Sequence, residues 1–309
     1  MSFVAGYFGL EIMSEILILA ILALSLDMVA GFGGMVSLAH GALMGLGAYG
    51  YAIFSVELGL APGLSMLLAV LSTGVLAWIM GAVCAGTHGV YLMMVTLAFG
   101  QMAYTFVFES PLLGGDDGMS GMARPDLSFI GVDLSDSRSF VLYLLVLTLA
   151  SYAFAALVLR SGLGRSLVGI KDNETRMKAL GQYTWKIKAH AFGLSGAVAG
   201  LAGVLTAQHI MFISPSLLNW VVSGEALIVM ILGGLGTLVG SIFGAAAFVF
   251  IKHEVSNFTP YWHLVMGLVL IAVVMSGANG IFGSAEAWLA RRRRRKSSAG
   301  LQVKETKDA

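Results

Sequence analysis

Charge is scarce in this chain of 309 residues: 11% of its side chains are charged, whereas 58% are hydrophobic. Soluble domains carry roughly 25% charged residues, so this composition excludes a water-soluble fold. The mean hydropathy is +0.87, and several apolar runs approach the ~20 residues that cross the hydrocarbon core of a bilayer. The composition therefore predicts an all-α, multi-pass membrane protein embedded in lipid, with no nucleic-acid partner.

Several kinds of chemistry lack the residues that they need. Cys84 is the only cysteine, so no disulfide forms within the chain. The six histidines are scattered without metal-ligand spacing, and no G-x-x-x-x-G-K-[ST] motif is present to cradle ATP phosphates. We therefore predict no catalytic residue, no metal and no cofactor, and any ATP dependence must come from another chain.

One enzyme-like pattern needs weighing. The letters GLSG at 193–196 and the Ala-His pair ending at His40 are similar to the Ser and His motifs of rhomboid intramembrane proteases, but Leu43 stands where that family has glycine. In a helix rich in glycine and alanine, the same letters also arise from close helix packing. The pattern therefore does not predict a protease.

Positive charge is concentrated in two parts of the chain. Seven of the 18 Lys and Arg fall within 160–188 and eight in the C-terminal tail, whereas the first 123 residues contain none. Cationic segments stay on the cytoplasmic side of a membrane, which places 160–188 and the basic tail 286–309 inside and the acidic loop 110–138 outside. The N-terminus is then external, and residues 1–285 form the transmembrane domain.

The predicted fold is a polytopic helix bundle of about nine transmembrane spans. These are 8–30, 33–57, 63–85, 88–108, 139–159, 191–213, 222–235, 238–256 and 262–282. The first third of the chain has no Lys or Arg to orient it, so the count depends on the two cationic segments being on the same side.

Two segments, 31–49 and 231–247, are not plain spanning helices, because a Gly-Gly pair followed by Ser/Thr-Leu opens each of them. Such Gly-broken segments are typical of inverted repeats around a midplane binding site, although glycine that only packs helices is the alternative.

Polar groups within spans tend to face a cavity or a partner. The pathway candidates are Ser37, His40, Thr237 and Glu225, and structural hydrogen bonds within the bundle are the alternative for each.

An ordered set of motifs is similar to one family. It includes VSLAHGALMGLGAY at 36–49, LLGGDDGMSGM at 112–122, GRSLVGIKDNETRMKALG at 164–181, FISPS at 212–216 and VMILGGLGTLVGSIFGA at 229–245. Over about residues 20–285 the chain resembles the permease subunits of branched-chain (hydrophobic) amino acid ABC transporters, the LivM-like group. It departs from the pattern where Asp27 replaces the usual Asn and Gln208-His209 replaces Ala-His; these changes either tune substrate choice or are neutral packing changes.

The resemblance implies partners and a mechanism. Such permeases pair with a second, homologous permease and two cytoplasmic ATP-binding subunits, and receive a small-molecule substrate from a periplasmic solute-binding protein. The chain is then a non-enzymatic subunit of a bacterial inner membrane that imports amino acids by alternating access. Its cytoplasmic loop 160–188 corresponds to the segment that couples to the ATPase, with Asn173, Glu174, Ala179 and Gly181 as coupling candidates; Gly181 is suited to ending a short helix.

Two other functions stay open at this point. An ion-coupled secondary transporter would share the composition, but a regular chain of acids suited to proton relay is absent from the sequence. Permeases for urea, amides or aromatic acids are built on the same scaffold as the resembling family. The sequence alone therefore indicates a transporter more firmly than it indicates a substrate.

Overall fold

The computed structural model describes residues 2–125, 134, 136–258 and 261–275, and these are almost entirely helical. The helices are α1 (Ser2–Val29), α2 (His40–Ala52), α3 (Pro62–Cys84), α4 (Val90–Glu109), α5 (Ser137–Arg160), α6 (Gly162–Ala179), α7 (Thr184–Ile210), α8 (Trp220–Gly233), α9 (Leu238–Phe258) and α10 (Trp262–Met275). Two short strands, β1 (Met119–Ser120) and β2 (Phe212–Ile213), pair antiparallel. The predicted all-α bundle is confirmed.

Six of the described helices are long and apolar enough to cross a membrane: α1, α3, α4, α5, α7 and α9. The predicted spans 33–57, 222–235 and 262–282 coincide with α2, α8 and α10, which have only 13, 14 and 14 described residues. At 1.5 Å per residue, helices of this length reach about 20 Å, which is short of the ~30 Å hydrocarbon core. Helix length therefore does not confirm nine spans. The tail 286–309 lies outside the described residues, as does part of 110–138.

The central helix of the bundle is α7, which packs against α1, α2 and α3. Small residues bring its backbone against theirs, as helices in lipid require for close approach. A Cβ added at Gly203 would lie 1.7 Å from the carbonyl oxygen of Met44, and one at Gly47 would lie 2.3 Å from that of Gly200. The recurrent small residues of α7 therefore serve packing within the chain.

Segments without α-helix enter the bundle at 30–39 before α2 and at 211–219 before α8; the second contains β2 and a short 3-10 helix, Pro215–Leu218. The first turns of these two short helices meet, because the N–H of Gly41 donates to Ser223 Oγ at 2.8 Å. From this crossing α2 runs toward the β1–β2 end, where the Tyr51 hydroxyl donates to the carbonyl of Ala123. In the opposite direction, α8 ends at the turn 234–237, beside the α6 end of the bundle. Both predicted Gly breaks are present, and the interruption at 211–219 falls at the predicted boundary between the spans 191–213 and 222–235.

The packing of α7 against α2 yields a stability prediction. Gly203→Ala should destabilise the protein by about 1–3 kcal/mol, because the added Cβ would overlap the Met44 carbonyl and force the two helices apart. Gly224→Ala on α8 is the matched control, since nothing lies within 4 Å of its Cβ position. Thermal unfolding of the purified protein in detergent is the measurement. Equal melting temperatures for the two variants would contradict the close approach.

Candidate functional site

The helix of the cationic loop, α6, consists of two short helical segments joined at Asn173, where φ is −162° and ψ is 99°. The Asn173 side chain caps the second segment by accepting from the N–H of Arg176 at 2.9 Å. This segment ends at Gly181, which has φ +78°. The N–H groups of Gly181 and of the next residue donate back to the carbonyls of Lys178 and Met177. This Schellman cap needs a left-handed residue, so the predicted helix end at Gly181 is confirmed.

Glu174 ties α6 to the rest of the bundle. Its Oε2 accepts from Lys188 Nζ at 2.7 Å and also contacts His88. Its Oε1 accepts from Lys178 Nζ at 3.0 Å and from the Thr184 hydroxyl at 3.1 Å. Burial raises the pKa of Glu174, but hydrogen bonds from these cationic neighbours outweigh burial and hold the pKa at about 2. Glu174 therefore fastens α6 to α7 and to the α3–α4 turn. The sequence predicted Glu174 as a coupling residue and did not predict this structural role.

The outer face of α6 and of the turn that follows it is accessible. Ala179 and Gly181 are exposed. Three large apolar side chains are exposed next to them: Leu180 at 69%, Tyr183 at 68% and Trp185 at 46%. An apolar patch at the end of a cationic helix is typical of a protein-docking surface.

The two Gly-broken segments touch each other at the α6 end of the bundle. Asp27, the residue that departs from the family pattern, is fully buried near the end of α1, and its Oδ1 accepts from the N–H of Gly236 at 2.8 Å. Beside this contact, Lys171 of α6 donates to the carbonyl of Gly31 at 2.6 Å. A single cluster therefore joins α1, the α8–α9 turn and α6.

The predicted pathway residues fall at different levels of the bundle. Ser37 is fully buried, and its hydroxyl accepts from the N–H of Ala39 at 3.2 Å. His40 begins α2 beside Ser223, whereas Thr237 follows the far end of α8 and donates to the carbonyl of Gly234 at 2.7 Å. The ten residues from Ser223 to the end of α8 separate the two levels by about 15 Å. The structure therefore does not bring His40 and Thr237 together.

His40 makes a structural contact that also decides the protease question. His40 Nε2 lies 2.8 Å from Ser195 Oγ, so the histidine and serine of the enzyme-like pattern do meet. Both residues are 0% exposed, and the Ser195 hydroxyl donates to the backbone carbonyl of Ser25. A nucleophile needs a base that accepts its proton and a route for substrate. The Ser195 hydroxyl donates its hydrogen bond to a backbone carbonyl and not to His40. The His40–Ser195 pair therefore holds α2, α7 and α1 together.

Glu225, unlike Ser37, His40 and Thr237, lines a cavity of about 340 Å³ between α1, α2, α7 and α8. The apolar part of its wall comes from Ile18, Leu19, Leu22, Met44, Ile210, Leu217 and Val222. Its polar groups are Glu11, Glu15, Thr206, His209 and Glu225. The residues that line the cavity thus combine apolar side chains with three carboxyl groups. The cavity lies between helices of an otherwise apolar bundle.

Two of these carboxyl groups were missed in the sequence. Glu11 and Glu15 stand four residues apart within the apolar run 8–30, so they share one face of a helix. Glu15 accepts from Lys252 at 2.9 Å and lies 3.2 Å from His253 Nε2. The signal that could have found them is the cost of ionisable groups within a span, which is tolerated where they pair or face a cavity.

A multi-pass helical membrane protein with two half-length helices that start inside the bundle has the architecture of a transport protein. The comparison with known families agrees with this class. The family model described as "Branched-chain amino acid transport system / permease component" matches residues 9–274. The chain belongs to this family.

Curated relatives include two branched-chain amino acid permeases and one permease of another import system. The chain is 28% identical over 295 residues to the high-affinity branched-chain amino acid transport system permease protein LivM of Salmonella typhimurium, a match that covers 88% of this chain and 69% of that protein. LivM of Escherichia coli K12 is 27% identical over the same shares of the two chains. The autoinducer 2 import system permease protein LsrC of Yersinia enterocolitica is 30% identical over 53% of this chain and 47% of that protein. No solved structure gives a significant match.

The ion pairs of Glu174 yield a second prediction. Glu174→Gln keeps the shape of the side chain but leaves Lys188, which is 2% exposed, without its carboxylate. Removing one partner of a buried ion pair costs about 3 kcal/mol, so the melting temperature should fall. The exposed neighbour Asp172 supplies the control, Asp172→Asn, which should melt like the unaltered protein.

The same tie has a pH dependence that can be measured separately. The pKa of Glu174 is lowered from 4.5 to about 2 by folding, so its stabilisation is complete above the higher value and is lost as the pH falls toward the lower one. The stability difference between the unaltered protein and Glu174→Gln should therefore shrink across this acidic window. A difference that stays constant there would contradict the tie.

Proposed function

We propose that this chain forms the translocation pathway of an ATP-driven importer for branched-chain or other hydrophobic amino acids. It would act together with a second homologous permease, two cytoplasmic ATP-binding subunits and an external solute-binding protein. Family membership over residues 9–274 supports the permease role. The chain has no P-loop of its own, which fits an arrangement in which ATP is hydrolysed on separate partners.

The observation that best supports this proposal is the structure of α6. The second segment of this helix is capped at both ends, by Asn173 and at Gly181, and is fastened to the bundle through Glu174. The exposed side chains of Leu180, Tyr183 and Trp185 lie at its end. A rigid, cationic helix with an apolar tip is suited to insert into a groove on a protein partner. Asn173, Ala179 and Gly181 then shape or contact the docking surface, whereas Glu174 acts by holding it in position.

In the proposed orientation α6 lies in the cytoplasm, because 160–188 carries the cationic cluster. The strand pair β1–β2 and the loop 110–138 are then external, as is the N-terminus. Nine passes result if 30–39 with α2, 211–219 with α8, and α10 each count as one crossing. The transmembrane domain is then 1–285, and the basic tail 286–309 is cytoplasmic in the inner membrane.

Alternating access needs a connection between the ATPase and the helices of the pathway. The cluster of Asp27, Gly31, Lys171 and Gly236 supplies contacts from α6 to the two helix breaks. We infer that movement of α6 shifts these breaks and thereby tilts α1 and α8, which line the cavity that contains Glu225. Ser37, His40 and Thr237 would act by shaping the broken segments, and Glu225 by facing the substrate.

Uptake of radiolabelled leucine tests the function and the coupling helix together. Cells that express the complete transport system should accumulate leucine, and replacement of Gly181 by tryptophan should abolish uptake because the bulky side chain blocks docking. Gly181→Asn is the control, because asparagine tolerates the left-handed conformation and is small. Membrane insertion of both variants is checked by immunoblot. Normal uptake by Gly181→Trp would refute the coupling assignment, and no leucine uptake by the unaltered system would refute the substrate class.

Cysteine labelling tests the orientation. Single cysteines at Asp117 and Gln182, both exposed, are introduced in a Cys84→Ala background. An impermeant maleimide added to intact cells should label position 117 and leave position 182 unlabelled until the membrane is opened. Labelling of position 182 in intact cells would overturn the proposed sidedness.

A further inference from the structure

The cavity next to Glu225 has the chemistry of an amino-acid site. Glu11, Glu15 and Glu225 place three carboxyl groups along its wall, whereas its floor is aliphatic. Carboxylates accept strong hydrogen bonds from an ammonium group, and an aliphatic floor favours a branched hydrocarbon chain. Ligand pockets with these features commonly start at about 300 Å³.

The size of the cavity fits a single amino acid. Its volume of about 340 Å³ corresponds to roughly eleven water molecules at ~30 Å³ each. This is enough for the roughly nine heavy atoms of leucine.

Positive charge lies on the other side of Glu11. A smaller cavity of about 80 Å³ shares Glu11 and His209 with the larger one and adds Arg124 to its wall. The Arg124 guanidinium is held 4.1 Å from the centre of the Phe140 ring and donates to the carbonyls at the end of α7. Its fixed charge gives the outer end of the site a potential that favours a carboxylate. His209 Nδ1, between the two cavities, is buried and has no partner among the described atoms.

We propose that this cavity is a binding site of the permease itself for the transported amino acid, a proposal that rests on the proposed function. The ammonium group binds between Glu11 and Glu225, and the branched side chain packs against Leu22, Met44 and Val222. The substrate carboxylate points toward Arg124. Glu15 is held by Lys252 and His253 and positions the α1 side of the wall.

Direct binding to the assembled transporter, purified without the solute-binding protein, tests the site. Val222→Cys in a Cys84→Ala background places one thiol on the cavity wall. Leucine and 3-methylbutylamine should slow its reaction with a maleimide, because both carry an amine on a branched chain, whereas 4-methylpentanoate should not. A cysteine at the exposed position Glu57 is the labelling control and should react at the same rate with or without leucine.

Carboxyl variants identify the groups responsible. Glu11→Gln and Glu225→Gln, combined with the cysteine at 222, should each weaken protection by leucine on the order of tenfold, as expected for loss of a charged hydrogen bond. Glu57→Gln should not change it. An unaltered melting temperature shows that each variant is folded. A second readout, leucine uptake by intact cells, should fall in the double variant Glu11→Gln, Glu225→Gln.

The outcomes separate this proposal from the proposed function. If the unaltered system takes up leucine but leucine does not protect position 222, or the double variant transports normally, the site is wrong and the function stands. Protection by 4-methylpentanoate equal to that by the amine also overturns the site, because it shows a cavity that accepts any aliphatic molecule. Absence of leucine uptake by the unaltered system overturns the function, and the site with it.

Discussion

Backbone without helical hydrogen bonds can enter an apolar bundle only where other groups satisfy it, and the rest of this structure depends on that constraint. The segment 30–39 meets the condition through hydroxyl groups from distant helices. Ser223 of α8 donates to the carbonyl of Leu38 and accepts from the N–H of Gly41, both at 2.8 Å. Thr96 of α4 accepts from the N–H of Leu38 at 3.1 Å. Two helices, α4 and α8, thereby hold one unwound stretch in place.

These hydrogen bonds fix the crossing of α2 and α8, which in turn sets where a ligand can bind. The two short helices start inside the bundle and point in opposite directions. Each of them therefore extends along only part of the bundle. The space that they leave on one side is the cavity lined by Met44 of α2 and by Val222 and Glu225 of α8. Because helix N-termini carry partial positive charge, a crossing of two such ends also suits a region that handles a zwitterion.

The sequence predicted the parts of the structure that depend on local pattern. Apolar runs located the helices, the small residues of α7 indicated close packing, and Gly181 marked the end of α6, because length, side-chain volume and left-handed backbone each leave a signal within a few residues. The break before α8 has such a signal as well, in the FISPS passage with Pro215, and the predicted spans 191–213 and 222–235 lie on either side of it.

Contacts between distant residues left no comparable signal. Glu15 and Lys252 are 237 residues apart, and nothing in either neighbourhood indicates that they pair. Glu174 was assigned to a partner because it lies in a charged loop, yet its carboxylate is occupied by Lys188 and other groups of the same chain. The two Gly-broken segments do meet, but at Gly31 and Gly236 beside α6, so the shared glycine patterns indicated a contact but not its level in the bundle.

Continuous helices connect that contact to the cavity. In α1, Glu15 and Asp27 are twelve residues apart, which corresponds to about 18 Å of unbroken helix. In α8, Glu225 lies about 12 Å from Gly233, next to the turn that contains Gly236. Helices transmit displacement along their axes with little bending because their packed interiors are nearly incompressible. Under the proposed function, α6 contacts the cytoplasmic ends of the same two helices whose outer halves hold the carboxyl groups. A shift of the turn beside Lys171 would then change the spacing of Glu11, Glu15 and Glu225 without any direct contact between the proposed ATPase and the substrate.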